Sequence, residues 1–160
     1  MELSGFELAR WQMWITGVVG GAAALEDLAR RTVSNWTSVA ALAAGLICQT
    51  MAGGWKGLGL AVLGAAAGFA VFLVFYILGG MGGGDVKLMA GFGAVIGVSR
   101  VLEAAFWTAL AGGIIALAVL GAAAIRSKIQ ARDGKAPGPV AIPYAPAIVV
   151  GVWLTVLANK

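Results

Sequence analysis

Six apolar runs, separated by short polar or glycine-rich breaks, account for most of the chain: Trp11 to Leu25, Trp36 to Met51, Leu58 to Leu78, Val86 to Val98, Ala104 to Ile125 and Val140 to Leu157. A membrane-crossing helix needs roughly 20 apolar residues, and shorter runs are tolerated when packed inside a bundle. The third and fifth runs are long enough to cross alone. The first, second and fourth are short or touch a charged residue. The pattern predicts an all-α fold: a polytopic membrane helix bundle of about six transmembrane helices, organised as one membrane-embedded domain over residues 1–160.

Composition agrees with the pattern. Of 160 residues, 61% are hydrophobic and 11% charged, far from the balance of a soluble domain. A water-soluble fold of this length could not hide so much apolar surface, because small domains bury only about two-thirds of what the unfolded chain exposes. Trp11, Trp14, Trp36, Trp55, Trp107 and Trp153 fall mostly near the ends of runs, as an interfacial aromatic belt would place them. Small-residue pairs at four-residue spacing, Gly17 and Gly21, Gly64 and Gly68, Gly93 and Gly97, would allow close helix approach.

Charge sets an orientation. Of the 11 Lys and Arg, seven fall in the breaks on one side (Arg30, Arg31, Lys87, Arg126, Lys128, Arg132, Lys135) and four on the other (Arg10, Lys56, Arg100, Lys160). The richer side is expected to be cytoplasmic, leaving both termini outside. The stretch Arg126 to Pro139, with Gly134, Pro137 and Gly138, reads as an exposed cytoplasmic loop. The net charge of +4 is scattered rather than massed on one face, so nucleic acid is not an expected partner; membrane lipid is.

Absent residue types narrow the chemistry further. With no histidine, Ser/His and Cys/His nucleophile pairs, His-ligated zinc and a haem histidine are excluded. The lone Cys48 has no intrachain partner for a disulfide and cannot build a cysteine metal site. No metal or other cofactor is expected. Of seven acidic residues, Glu2, Glu7, Glu103 and Asp133 have simple solvated explanations. Glu26, Asp27 and Asp85 instead abut apolar runs, where desolvating a carboxylate is expensive.

Asp85 follows Gly79-Gly80-Met81-Gly82-Gly83-Gly84 and heads the run opened by Val86. So many glycines allow positive φ and let another chain come close. The carboxylate is placed there for chemistry or for capping the next helix. The loop lacks the Gly-Lys-Ser/Thr ending of a phosphate cradle. Asp27 ends the first run, and Arg30 and Arg31 three and four residues on offer ordinary ion pairing on a continuing helix. Glu26 lies about 100° away around the helix and is the fallback carboxylate. Lys87, two residues past Asp85, falls on nearly the opposite face. Its default role is snorkelling to the interface; orienting a substrate or anchoring the loop is the functional alternative.

Together these segments resemble the prepilin leader peptidase family, the membrane aspartic proteases that process type IV pilins. Gly82-Gly83-Gly84-Asp85-Val86-Lys87-Leu88 matches the family's Gly-x-Gly-Asp signature with its following Lys-Leu. That signature is shared in looser form with presenilin-type intramembrane proteases. Asp27-Leu28-Ala29-Arg30-Arg31-Thr32-Val33-Ser34-Asn35 matches the first aspartate element, with Ser34 where the family usually has proline. Ile142-Pro143-Tyr144-Ala145-Pro146-Ala147 is similar to the stretch opening the last helix. The chain shows neither the methyltransferase region nor the four-cysteine loop of longer members, so it resembles the short form accompanying Tad/Flp-type pilus systems.

The resemblance implies Asp27 and Asp85 as a catalytic pair, Gly82, Gly83 and Gly84 as the active-site loop, and Lys87 and Asn35 as substrate-orienting candidates. It implies prepilin or pseudopilin substrates, cleaved after a glycine preceding their hydrophobic helix, on the cytoplasmic face of the cell (inner) membrane. Two carboxylates held close cannot both ionise cheaply, so one would hold a proton while the other activates water. From the residues alone, a small transporter or proton channel using the same aspartates, and a non-enzymatic assembly subunit, remain the competing readings.

Overall fold

The computed structural model describes residues 5–30, 32–79, 81–132 and 144–158. Of the residues named above, Glu2, Arg31, Gly80, Asp133, Gly134, Lys135, Pro137, Gly138, Pro139, Val140, Ile142, Pro143 and Lys160, with the side chains of Glu7, Lys128 and Arg132, lie outside that description. The described residues form helices α1 (Gly5–Arg30), α2 (Asn35–Ile77), α3 (Gly83–Ile96), α4 (Val98–Arg132) and α5 (Ala145–Ala158), with no strand among them. The fold is all-α, as the apolar pattern predicts.

The second and third apolar runs are both inside α2, which breaks between them at Gly53 (φ −134°, ψ 16°) and Gly54 (φ 54°, ψ −134°). Only glycine adopts the Gly54 angles without strain. On a straight helix Gln49 and Gly57 would stand about 12 Å apart. Instead a Cβ on Gly57 would overlap the Gln49 carbonyl, so the two arms of α2 fold back on each other.

Helix α3 lies between those arms. On one face Gly91 meets Ser38 and Ala41, and a Cβ added to Gly45 would sit 2.6 Å from the Val95 nitrogen. On the opposite face Gly93 and Gly64 press backbone to backbone, and a Cβ on Gly68 would lie 2.6 Å from the Met89 carbonyl oxygen. Two of the three spaced glycine pairs thus contribute to close helix contact, through Gly64, Gly68 and Gly93. Of the third pair, Gly17 packs on Trp153 while Gly21 faces open space. The enclosure explains how so short a run belongs to the bundle: Leu88, Met89, Phe92, Ala94 and Val95 are fully buried.

The outer helices have the reverse character. Only 11% of the most apolar 18-residue stretch of α4 is buried. Leu102, Ile114 and Leu117 point outward, an arrangement that water would not tolerate and lipid favours. This is a membrane protein. Trp36 and Trp55 project at the two ends of the first arm of α2, 82% and 87% exposed, where an interfacial belt requires them. Helix α4 runs past the expected end at Ile125 to Arg132. Residues 126–132 are therefore helical rather than loop, because no glycine or proline interrupts Arg126–Arg132 before Gly134.

At the end where α1 starts, a buried polar cluster ties four elements together. Gln12 and Gln49 both donate to the Val95 carbonyl, at 2.9 and 3.0 Å, and Arg100 donates to the Gln12 side-chain oxygen at 3.2 Å. Val95 lies in the last turn of α3, where carbonyls lack helical partners. Chain direction alternates through α1, the arms of α2, α3, α4 and α5, so the opposite end collects the end of α1 and the starts of α2, α3 and α5.

Candidate active site

Asp27 occupies the last turn of α1 and is 7% exposed. Its Oδ2 accepts the Ala145 backbone N–H at 3.0 Å, across 118 residues of chain. Ala145 opens α5, and the first amides of a helix have no internal acceptor and carry its positive dipole end. A carboxylate suits that position on both counts. Arg30, one of the ion partners expected from spacing, acts electrostatically on Glu26.

Asp85 is in the first turn of α3 and equally buried, at 7% exposed. Its Oδ2 accepts the Gly82 N–H at 3.2 Å, while the Asp85 N–H donates to the Gly82 carbonyl at 3.1 Å. This is the carboxylate half of a capping box; Gly82 has no side chain to supply the other half. Asp85 thus caps α3, one of the two roles expected of it. Both acids stand at the end of the bundle that collects the end of α1 and the start of α3, where the Val33 side chain of the α1–α2 connection lies against Gly84 beside Asp85. An ionised carboxylate has about four acceptor sites, so one backbone amide apiece leaves each aspartate able to accept further hydrogen bonds.

Among the described glycines of the loop, left-handed backbone occurs at Gly79. Gly79 has φ 76°, whereas Gly82 is extended at φ −82° and Gly83 and Gly84 already belong to α3. A Cβ on Gly84 would lie 3.4 Å from the Val33 Cβ, and one on Gly82 would lie 3.4 Å from Asp85 Oδ2. Both are ordinary van der Waals distances, and at the first of them the α1–α2 connection packs over the start of α3. Lys87 is exposed, as its position opposite Asp85 requires, and its Nζ donates to Asn35 Oδ1 at 2.9 Å. The two substrate-orienting candidates thus meet each other. Next to the loop, an apolar groove of about 230 Å³ is lined by Met81, Phe72, Phe75, Ala105, Gly112 and Tyr144, among others.

Two features at this end were missed by sequence reasoning. Ser34 is the N-cap of α2, its hydroxyl accepting the Trp36 N–H at 3.2 Å. Glu26 turns away from Asp27: its Oε2 accepts the Ser34 N–H and the Thr37 hydroxyl, each at 2.9 Å. The Ser34 amide, then the Thr37 hydroxyl, with Arg30 nearby, hold the Glu26 carboxyl below its usual range. The serine ahead of an apolar run was a visible capping signal; nothing in the spacing pointed Glu26 at it.

A sequence model of the Type IV leader peptidase family matches residues 14–117, a span containing Asp27 and Asp85. A prepilin leader peptidase/N-methyltransferase from Bacillus subtilis (strain 168) is 40% identical over 98 residues, covering 60% of this chain and 35% of that protein. The protein of the same name from Aeromonas salmonicida (strain A449) is 29% identical over 138 residues, covering 82% of this chain and 43% of its own length. The chain thus spans well under half the length of these relatives. No solved structure gives a significant match. With most of the chain matched by the family model, and both of its aspartate elements inside the match, the chain belongs to the Type IV leader peptidase family.

Proposed function

We propose that this protein is a membrane aspartic endopeptidase that removes the leader peptide of type IV prepilins and pseudopilins, with Asp27 and Asp85 as its catalytic pair. The observation that supports the reading is that two buried carboxylates from different helices, Asp27 at the end of α1 and Asp85 at the start of α3, stand at the same end of the bundle, where Val33 rests on Gly84 and Lys87 bonds Asn35. Family membership supports prepilin processing, and residues 1–160 are read as one peptidase domain.

In this mechanism one carboxyl is protonated and the other ionised, the pair titrating as a unit. The ionised member takes a proton from water as the water attacks the scissile carbonyl. The protonated member hydrogen-bonds the carbonyl oxygen and then protonates the leaving amine. The backbone amides of Ala145 and Gly82 hold the carboxylates in place. Gly82, Gly83 and Gly84 leave room for an extended substrate backbone, and Lys87 with Asn35 orients it. The finer reading is a Flp-type substrate cut after the glycine preceding its hydrophobic helix. The site would face the cytoplasm from the inner membrane, with the termini outside, as the excess of Lys and Arg at the site's end favours.

The test is cleavage of a co-expressed Flp-type prepilin by wild type, Asp27→Asn and Asp85→Asn, followed as a gel shift at matched expression. Asparagine can still accept the Ala145 or Gly82 amide, so each variant keeps its local bond while losing the ability to ionise. Wild type is expected to cleave and both variants to fail. Cleavage by either variant removes that residue from the pair, and a wild type that never cleaves overturns the protease reading.

A further inference from the structure

We propose that Glu26 is a positioning residue for this site: by clasping the start of α2, it fixes where the last turn of α1 holds Asp27 relative to Asp85. The inference rests on the catalytic reading of the two aspartates and deepens it.

Asp27 and Glu26 are neighbours on α1 but point about 100° apart, and their partners differ accordingly. Asp27 reaches the start of α5; Glu26 gathers the Ser34 amide and the Thr37 hydroxyl at the start of α2. A charged acceptor makes these bonds stronger than a neutral one would. One residue beyond Ser34, Asn35 accepts from Lys87, which sits two residues past Asp85 on α3. The result is a continuous brace from the Asp27 turn through Glu26, the first turn of α2 and Lys87 to the Asp85 turn. Between its two ends, Val33 rests on Gly84.

The brace has few substitutes. Of the described residues between Arg30 and Asn35, Thr32, Val33 and Ser34 lie outside the helices, and the Glu26 bond to Ser34 ties this stretch back to α1 while the Ser34 cap ties it to α2. Helix α3 is clamped along its length by the glycine contacts with α2. The last turn of α1 is held at fewer points, by the Asp27 bond to Ala145 and by the Glu26 clasp. Reacting groups misplaced by about 1 Å can lose roughly 100-fold in rate, so a clasp on the residue adjoining Asp27 acts on turnover more than on substrate binding.

The experiment measures kcat and KM for prepilin cleavage by the full chain in detergent or nanodiscs, for wild type, Glu26→Gln, Glu26→Ala and Thr37→Val, with Asp27→Asn and Asp85→Asn alongside. A glutamine side chain keeps an oxygen that accepts both donors, so Glu26→Gln should retain most of the wild-type kcat. Glu26→Ala should lose about 10- to 100-fold in kcat at unchanged KM. If Glu26→Ala cannot be purified folded, Thr37→Val removes one of the two donors, and a smaller kcat loss at unchanged KM is expected. The proposal is overturned if Glu26→Ala, or in its absence Thr37→Val, turns over like wild type, or if the loss appears in KM. It is equally overturned if Glu26→Gln is as inactive as Asp27→Asn, which would make Glu26 a reacting carboxyl. Cleavage by Asp27→Asn or Asp85→Asn would instead refute the catalytic pair itself, whatever the Glu26 variants do.

Discussion

Replacing Gly93 by alanine tests whether the packing of α3 depends on backbone contact. Gly93 and Gly64 face each other so closely that a Cβ on either would overlap the other's carbonyl group. The neighbour is backbone, which cannot swing aside like the tip of a side chain. Alanine gains about 1 kcal/mol of helix propensity over glycine, and overpacking a tight interior costs about 1–3 kcal/mol. With rigid backbone as the obstacle the cost falls at the upper end, for a net loss of about 1–2 kcal/mol. At about 2–4 °C per kcal/mol for a domain of this size, Tm should fall by about 2–8 °C. Gly113→Ala on α4 is the control, because no atom lies within 4 Å of its added Cβ; it should match or exceed wild type. Buried Cys48 supplies the assay: a thiol-reactive fluorogenic dye reports its exposure on heating in detergent. A Gly93→Ala protein as stable as Gly113→Ala would refute the argument that α3 is held by glycine contacts.

Gln12→Leu removes a buried donor to Val95 and leaves Arg100 without its Gln12 acceptor; a loss of about 1–3 kcal/mol is expected in the same dye assay. Ser34→Ala deletes the hydroxyl cap on the Trp36 amide but keeps the backbone bond to Glu26, so stability should drop by about 1 kcal/mol with cleavage retained. The folded Glu26 carboxyl is held below its ordinary value of 4.5. Its stabilisation is therefore present above that value and lost as pH falls through the lowered one. The thermal stability advantage of wild type over Glu26→Gln should shrink on acidification below about pH 4.5 and be constant above about pH 6; an unchanged advantage at about pH 3 would contradict the assignment of its partners.

The sequence by itself determined the all-α membrane fold, because runs such as Leu58–Leu78 and Ala104–Ile125 have no other way to satisfy their backbone in lipid. It also singled out Glu26, Asp27 and Asp85, since a carboxylate abutting an apolar run is costly enough to need a reason. Residue spacing even marked Gly64, Gly68 and Gly93 as contact glycines. What it could not supply was partnership across the chain. Asp27 could be read as the ion partner of Arg30 because local spacing is all a sequence shows, whereas its partner in the structure is the amide of Ala145. Glu26 looked like a spare carboxylate until the α1–α2 connection folded it onto Ser34 and Thr37. Gln12 and Gln49, polar residues inside apolar runs, gave a signal whose meaning depended on Val95 arriving between them. Hydrophobic patterning is written locally, one helix at a time; hydrogen bonds between helix ends depend on which ends the bundle brings together, and only the tertiary structure decides that.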